Sequence, residues 1–509
     1  MSPRDKIKPL FQLADIIRQL RDEKKKIIVH CHGVFDLLHI GHIRHLEQAK
    51  AMGDVLVVTL TPDRFVDKGP HRPAFNETLR AEAVASLSCV DHVAINEWPT
   101  AEETLRLLRP NYYVKGSEFK VTSSDMTGKI AREEQVASEI GTVLAFTEDI
   151  VFSSSNLINR YLSNLPAEID EYLKVFRKRF QLDDVLRVID QMSSMNVLVV
   201  GDTILDDYVY CEALGKSSKD PVLAIRYQSN DLFAGGVLAV ANHLAGFVRE
   251  VQLVTVLGEK ESHLGFIKSQ LRPNVSFRYA TQPGAPTLVK RRFIDGYSVN
   301  KLFEVYIMDS SGLPEHLDQE MRDWLQEHCR NYDLVVAADY GHGAISPATA
   351  DILSENAPFL AINAQANAGN RGFHTVTRYK KAHYACIAEH ELRLETRDLR
   401  SPVRPLMEGV IAKTGFATLA VTLGRQGCVV ANRAGEFVKV PAFALRIVDR
   451  VGAGDAFFSV TALAAAQRAE NEVLGFIGNV AGGIAVEIVG NMKSVDRLSV
   501  KKFVTSLLK

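Results

Sequence analysis

From Lys26 the chain alternates short apolar runs with amphipathic stretches. The runs IIVHCHGVF, DVLVVTLTP, HVAIN, YYVKG and TVLAFTED have the length of strands, while HIRHLEQAKAMG and NETLRAEAVASLS place apolar residues at helical spacing. This alternation predicts βαβ units and a parallel, Rossmann-like sheet over residues 26–164, with a charged helical extension at 1–25. Residues 165–194 keep helical spacing, many charges and almost no breakers, and are expected to form a helical connector. A second α/β series opens at MNVLVVGDTILD, runs through VQLVTVLG, YDLVVAADYGHG, PFLAINAQ, AHYACIAE and FATLAVTLGRQG, and ends in the apolar helix after Gly454. It predicts a larger doubly wound domain over 195–509. Inside that domain DDYVYCEALGKSSKDPVLAIRYQS, rich in β-formers and turn residues, is expected to build a small lid of strands.

At 509 residues and 46% hydrophobic content the chain is too long for one ordinary core, which agrees with two large domains. Sixty Lys and Arg residues against 61 Asp and Glu leave a formal charge of -1. There is no global field to gather nucleic acid or an anionic membrane, so neither is an expected partner and any phosphate recognition is local. Cys31, Cys89, Cys211, Cys329, Cys386 and Cys428 show no paired spacing, so neither a disulfide framework nor a zinc knuckle is expected, and a reducing cytoplasm fits best. The N-terminal stretch lacks the apolar core of a signal peptide and no run reaches bilayer length, so a soluble protein is expected.

Two segments carry phosphate chemistry. The first strand runs into Gly33-Val34-Phe35-Asp36 and then His39-Ile40-Gly41-His42 at a helix start, where two imidazoles stand beside an anion-favouring helix terminus. Gly33 and Gly41 permit close approach of a nucleotide, and Asp36 is either a magnesium ligand or a turn-forming side chain. Nearer the C-terminus, Gly452-Ala453-Gly454-Asp455 precedes AFFSVTALAAA. Small residues there leave backbone amides free for a transferring γ-phosphate, and Asp455 is placed to take a proton from the attacking hydroxyl.

The first segment, with Lys68, Arg72-Pro73, Arg80, Val114-Lys115-Gly116 and Phe152-Ser153-Ser154-Ser155-Asn156 in order behind it, resembles the cytidylyltransferase-like nucleotidyltransferase family over about 130 residues. That resemblance implies phosphate contacts from Lys68 and Lys115, a triphosphate held by Ser153, Ser154 and Ser155, and a nucleotide lying against Gly33, Phe35, Asp36 and Gly41. It also casts His39, His42 and Lys115 as catalytic. Arg72 and Arg80 are either part of this site or solvated helix-face charges.

Nearly all of the second half resembles the ribokinase family of sugar kinases, through Gly201-Asp202, Gly235-Gly236, Asp339-Tyr340-Gly341-His342-Gly343, Thr422 to Gly427 and Asp449 to Asp455. The resemblance implies sugar binding by Asp202, Asp206, Gly235 and Gly236, and a nucleotide at Gly452, Ala453 and Gly454. Lys290, in the β-like run TLVKRRFID, either meets a substrate phosphate or belongs to an edge-strand charge cluster. Four positions depart from the family pattern: Ala239, Asn363, Ala388 and Arg450 stand where polar or acidic groups are expected, and of the family's magnesium-associated motif only Glu391 remains, acting on the metal through water if at all. Reduced, redirected or absent kinase activity is therefore an open outcome.

Together the halves resemble the bifunctional ADP-heptose synthase family with the order of the halves reversed. The implied activity is Mg2+- and ATP-dependent phosphorylation of a phosphosugar, such as heptose 7-phosphate, at the anomeric hydroxyl, followed by transfer of a nucleotide from ATP or CTP with release of pyrophosphate. The competing reading keeps a cytidylyltransferase for a sugar or polyol phosphate and makes the kinase-like domain regulatory or structural. By analogy of fold, a homodimer is expected.

Overall fold

Along β1 (Ile28–Gly33) and β2 (Val55–Leu60) successive residues point to opposite faces of one sheet. Val29, Cys31, Leu56, Val58 and Leu60 pack with Leu46, Ala81 and Val84 on one face, while Ile28, Val55 and Val57 pack with Leu13, Ile17 and Leu108 on the other. Strands covered on both sides read as near-continuous apolar runs, as β2 does apart from Thr59, whereas β1 also carries His30 and His32, both bonded to Thr59. With β3 (His92–Ile95), β4 (Tyr112–Lys115) and β5 (Val143–Phe146) they form a five-stranded parallel sheet in the order β3-β2-β1-β4-β5. The strand order reverses between β1 and β4, and ligands of open α/β sheets bind in the crevice at that point.

The structure is a computed structural model describing residues 2–66, 73–116, 129–147, 165–297, 300–444 and 446–509. The chain divides into two compact units, residues 1–164 and 165–504. Two expectations about boundaries change. The helix Leu10–Asp22 is no extension: Leu10, Leu13, Ala14 and Ile17 are buried against the first sheet, so it is a layer of that unit. The segment 165–194 forms helices Ala167–Arg179 and Leu182–Gln191, and the Phe176 ring stacks on Phe476 at 4.4 Å while Arg179 pairs with Glu472. These helices are part of the second unit, because the apolar faces that their periodicity announced are buried there.

The second unit is built on β6 (Asn196–Gly201), β9 (Glu250–Lys260), β10 (Val275–Pro286), β13 (Leu334–Asp339), β14 (Leu360–Ala364), β15 (Tyr384–Ala388), β16 (Thr418–Thr422), β17 (Cys428–Asn432) and β18 (Phe437–Val440). They form a nine-stranded sheet in the order β10-β9-β6-β13-β14-β15-β16-β17-β18, parallel except where β17 pairs with β16 and β18. A separate four-stranded sheet holds β7 (Thr203–Lys216), β8 (Leu223–Gly236), β11 (Val289–Asp295) and β12 (Lys301–Ile307) in the order β12-β11-β7-β8. The expected lid is thus present and larger than its hairpin. The run TLVKRRFID is its inner strand β11, between β12 and β7, and not an edge. Among the described residues no helix is long and apolar enough to cross a membrane.

Candidate active sites

In the first unit β1 ends at Gly33, the chain turns through Phe35 at φ 47°, and the helix Ile40–Ala51 begins behind His39. His39 is the helix N-cap: its Nδ1 accepts the Gly41 N–H at 3.1 Å. The His39 and His42 rings stack with centroids 4.0 Å apart, and Phe35 meets His42 edge-on at 5.4 Å. A Cβ on Gly33 would come within 3.0 Å of the Phe35 ring, so that glycine lets the ring seat against the strand end. The two imidazoles therefore stand as a stacked pair at a helix N-terminus, suited to donate to a phosphate as its charge develops.

Two residues expected to touch nucleotide are bonded within the frame. Asp36 is buried and its Oδ1 accepts the N–H groups of Ala74 at 2.6 Å and Phe75 at 3.2 Å, which is the turn-bracing alternative. Arg80 is 1% exposed and so is not a solvated helix-face charge. Its guanidinium donates to the carbonyls of Phe75 (3.0 Å), Val34 and Thr61 (2.9 Å) and to Asp63 Oδ1 (2.6 Å), tying together the chain after β1 and the chain after β2. A planar fork of donors suits that junction, where three backbone carbonyls converge.

Lys115 ends β4, with Nζ 2.8 Å from Glu133 Oε2 and 4.8 Å from the centroid of the Tyr113 ring. Glu133 is buried and also accepts the Tyr113 hydroxyl at 2.8 Å and the Ala101 N–H at 3.1 Å. Burial works against its ionised form, yet Lys115 and these donors hold the carboxyl below its ordinary value. His32 bridges Thr59 and Thr61, and His45 bonds Thr147. Burial, reinforced by Lys115, brings both imidazoles down to about 4, so they are uncharged near neutral pH. Lys68, Arg72, Ser153, Ser154 and Ser155 lie outside the described residues.

In the second unit Asp202 follows β6 directly. Its Oδ2 accepts the N–H groups of Tyr340 (3.0 Å) and His342 (3.2 Å), and Oδ1 accepts that of Ala344 (2.8 Å). The expected sugar ligand thus holds the 340–344 loop, and burial, with Asp339 nearby, pushes its carboxyl up to about 6. The same loop carries Tyr340, whose hydroxyl donates to Asp455 Oδ1 at 2.8 Å. Asp455 sits in the first turn of the helix Ala453–Ala466, and burial pushes its carboxyl up to about 6 against the lowering effect of Tyr340. Gly452 is the N-cap at φ 82°, where a Cβ would meet Asn491 Oδ1 at 2.3 Å, whereas a Cβ on Gly454 would meet nothing within 4 Å. With Ala453 they leave an open helix start beside Asp455, as the kinase reading requires.

Asp206 on β7 bonds Arg292 and lies 3.4 Å from Asn491 Nδ2. A Cβ on Gly235 would come within 2.0 Å of Asp206 Oδ2, so Gly235 with Gly236, at φ 54°, gives that carboxylate its place under the lid. Lys290 on β11 is opposite Asp206 in register and stands over the Tyr306 ring. A solvent-open recess is bordered by Asp202, Thr203, Gln282, Thr287, Met308 and His342.

The residues left by the family's magnesium motif are engaged in hydrogen bonds within the fold. Glu391 accepts the N–H groups of Ala366 (2.9 Å) and Ala388 (2.6 Å) as a helix cap, and Asn363 Nδ2 donates to the Cys386 carbonyl at 2.8 Å. Among the described residues no cluster of three His, Cys, Asp or Glu is placed to hold a metal ion. Ala239 is buried in the helix Val237–Ala245 and Arg450 is exposed.

Sequence reasoning missed Glu133, Tyr340 and Asn491 as members of these sites. Tyr340 stood inside a quoted motif, but nothing local signals a partner 115 residues away. Glu133 reads as an ordinary helix charge until the fold sets it beneath Lys115.

Residues 194–497 match the family of pfkB family carbohydrate kinases, and residues 30–160 match the cytidylyltransferase-like family. The bifunctional protein HldE of Syntrophotalea carbinolica is 35% identical over 159 residues, 31% of each chain. The protein of the same name from Geobacter metallireducens is 39% identical over 159 residues, again 31% of each chain. That from Trichlorobacter lovleyi is 27% identical over 305 residues, 58% of this chain and 60% of the other. The chain thus spans about a third to three fifths of the length of these relatives. Among solved structures, phosphofructokinase-2 from Escherichia coli superposes with a TM-score of 0.52 at 16% identity, covering 62% of this chain and all of that one. A ribokinase-like protein from Agrobacterium tumefaciens gives 0.50 at 17% identity, covering 62% and 98%. At such identities the likeness is one of fold.

Proposed function

Because the chain belongs to the pfkB family of carbohydrate kinases and carries a cytidylyltransferase-like segment ahead of the kinase residues, we propose that it makes a nucleotide-activated sugar in two steps. In the second unit Asp455 takes the proton of the anomeric hydroxyl of a phosphosugar, of the heptose 7-phosphate kind. The oxygen then attacks the γ-phosphorus of ATP and ADP leaves. The amides at Gly452, Ala453 and Gly454 meet the transferring phosphoryl group. Magnesium enters with the phosphates of ATP.

In the first unit a phosphate oxygen of the sugar 1-phosphate attacks the α-phosphorus of ATP or CTP, and pyrophosphate leaves. His39 and His42 donate to the oxygens on which charge develops, and Lys115 offsets the charge of the incoming phosphate. The observation that carries the reading is the stacked His39–His42 pair at the helix start after β1, at a topological switch point. The product is an ADP-heptose-like nucleotide sugar made in the cytoplasm, and the working unit is a homodimer.

A second reading, a cytidylyltransferase for a sugar or polyol phosphate joined to a regulatory or structural kinase-like unit, draws support from Glu391, whose carboxylate caps a helix. A mass-spectrometric screen of sugar phosphates against ATP and CTP tests both. Sugar-dependent ADP together with a nucleotide sugar supports the two-step enzyme. A nucleotide sugar or nucleotide polyol without any ADP supports the second reading, and neither product overturns both.

A further inference from the structure

Two groups flank the switch point of the first sheet. The His39–His42 pair stands at the helix start after β1, and Lys115 ends the neighbouring strand β4, one residue beyond Val114, which is level with Cys31. Beside Lys115 the helix Lys129–Glu139 carries Glu133, whose side chain is 4% exposed. Taking a carboxylate and an ammonium out of water together is costly, and a well-packed apolar pair often fills such a space with equal or greater stability. A buried ion pair at a ligand crevice therefore calls for a reason beyond packing.

Both oxygens of Glu133 are tied. Oε1 accepts the Ala101 N–H at 3.1 Å, at the start of the helix Glu102–Leu108, while Oε2 accepts the Tyr113 hydroxyl at 2.8 Å and lies 2.8 Å from Lys115 Nζ. Ala101, Leu105, Tyr113 and Val136 pack together at this junction, which leaves the carboxylate little room to turn. The centroid of the Tyr113 ring lies 4.8 Å from the same ammonium. Burial raises the Glu133 carboxyl, and Lys115 leads the influences that bring it below its ordinary value. His32, which faces the pair from β1, is uncharged near neutral pH. An ammonium has three donors, and a fixed carboxylate that takes one of them restricts the directions of the other two.

We propose that Glu133 is a positioning residue of the nucleotidyltransferase site: it touches no substrate, and it anchors the Lys115 ammonium at the end of β4 so that the remaining donors meet the incoming phosphate. This rests on the nucleotidyltransferase reading of the first unit and adds to it the group that holds the cation.

A double-mutant cycle on the full chain tests it, read as pyrophosphate release from ATP or CTP with heptose 1-phosphate. Glu133→Gln should lower kcat/KM about 10-fold in the wild type and leave it unchanged in Lys115→Met, since a residue that acts through Lys115 has nothing to act on there. Tyr113→Phe keeps the carboxylate and removes one of its donors. It should show a smaller loss with the same dependence on Lys115, which keeps the test open if Glu133→Gln fails to fold by circular dichroism. Labelling of Lys115 by acetic anhydride in the substrate-free protein at pH 8, followed by mass spectrometry, gives a second measure. Without the carboxylate the amine is less firmly held as an ammonium, so Glu133→Gln should be acetylated there about 10-fold faster. Faster labelling of the variant, with no pyrophosphate released by the wild type, would retire the nucleotidyltransferase reading and leave the Glu133 anchor standing. An equal loss from Glu133→Gln in both backgrounds, no loss in either, or unchanged labelling of Lys115 would overturn the proposal.

Discussion

The hydroxyl of Tyr340 donates to Asp455 Oδ1 at 2.8 Å, joining the loop after β13 to the helix that opens the candidate phosphoryl-transfer site. One oxygen of the carboxylate is held by this bond, and in the proposed reaction the carboxylate takes the proton of the substrate hydroxyl. A carboxyl raised to about 6 must be ionised to accept a proton, so sugar-dependent ADP formation should fall as pH drops through about 6. Tyr340→Phe removes a donor that favours the ionised form, so the acid limb should move to higher pH. Rates recorded from pH 5 to 8 check this, and a limb that stays in place in the variant counts against the arrangement.

Asp455→Asn should lower sugar-dependent ADP formation by about 100-fold or more, the scale of a lost general base. Phosphosugar binding measured by calorimetry should persist, because the substitution keeps the shape of the side chain and removes only its charge.

His42→Ala removes one ring of the stacked pair and should reduce pyrophosphate release at least about 100-fold, comparable to loss of a donor to a developing oxyanion. Normal turnover in this variant would remove the nucleotidyltransferase assignment.

Arg80→Ala leaves three carbonyls and Asp63 without their buried donor. Denaturation of the first unit should show a loss of about 3–5 kcal/mol, as expected when one partner of a buried ionic network is removed. Arg80→Lys should recover little, because an ammonium cannot reproduce the planar fork.

His32 and His45 are held uncharged at about 4, below the ordinary imidazole value near 6.5. Their folded-state values are depressed, so the stability they contribute is whole above about 6.5 and is lost as pH falls toward 4. Urea denaturation of the wild type at pH 7.5 and pH 4.5 should show an acid loss that is smaller in His32→Asn. An equal loss in the variant would assign the acid lability to other groups.

Much of this protein was legible in its sequence. The strand runs, the helical stretches and the order of the two α/β series follow from local periodicity, and both candidate segments sit at the start of a helix. Local pattern suffices there because covered parallel strands and glycine-started helices are recognisable residue by residue.

What only the tertiary structure decided is how each polar side chain is used. Asp36, Arg80 and Asp202 stand in or near phosphate-handling motifs, yet their hydrogen bonds go to backbone groups brought close by folding. Lys290 read equally as a phosphate contact or as one charge in an edge cluster, and the second alternative fell when β11 proved to be an inner strand. The reason is physical: an element forms from neighbours along the chain, whereas a buried donor or acceptor is satisfied by whatever the fold carries to it. For Tyr340 and Asp455 that meeting spans 115 residues.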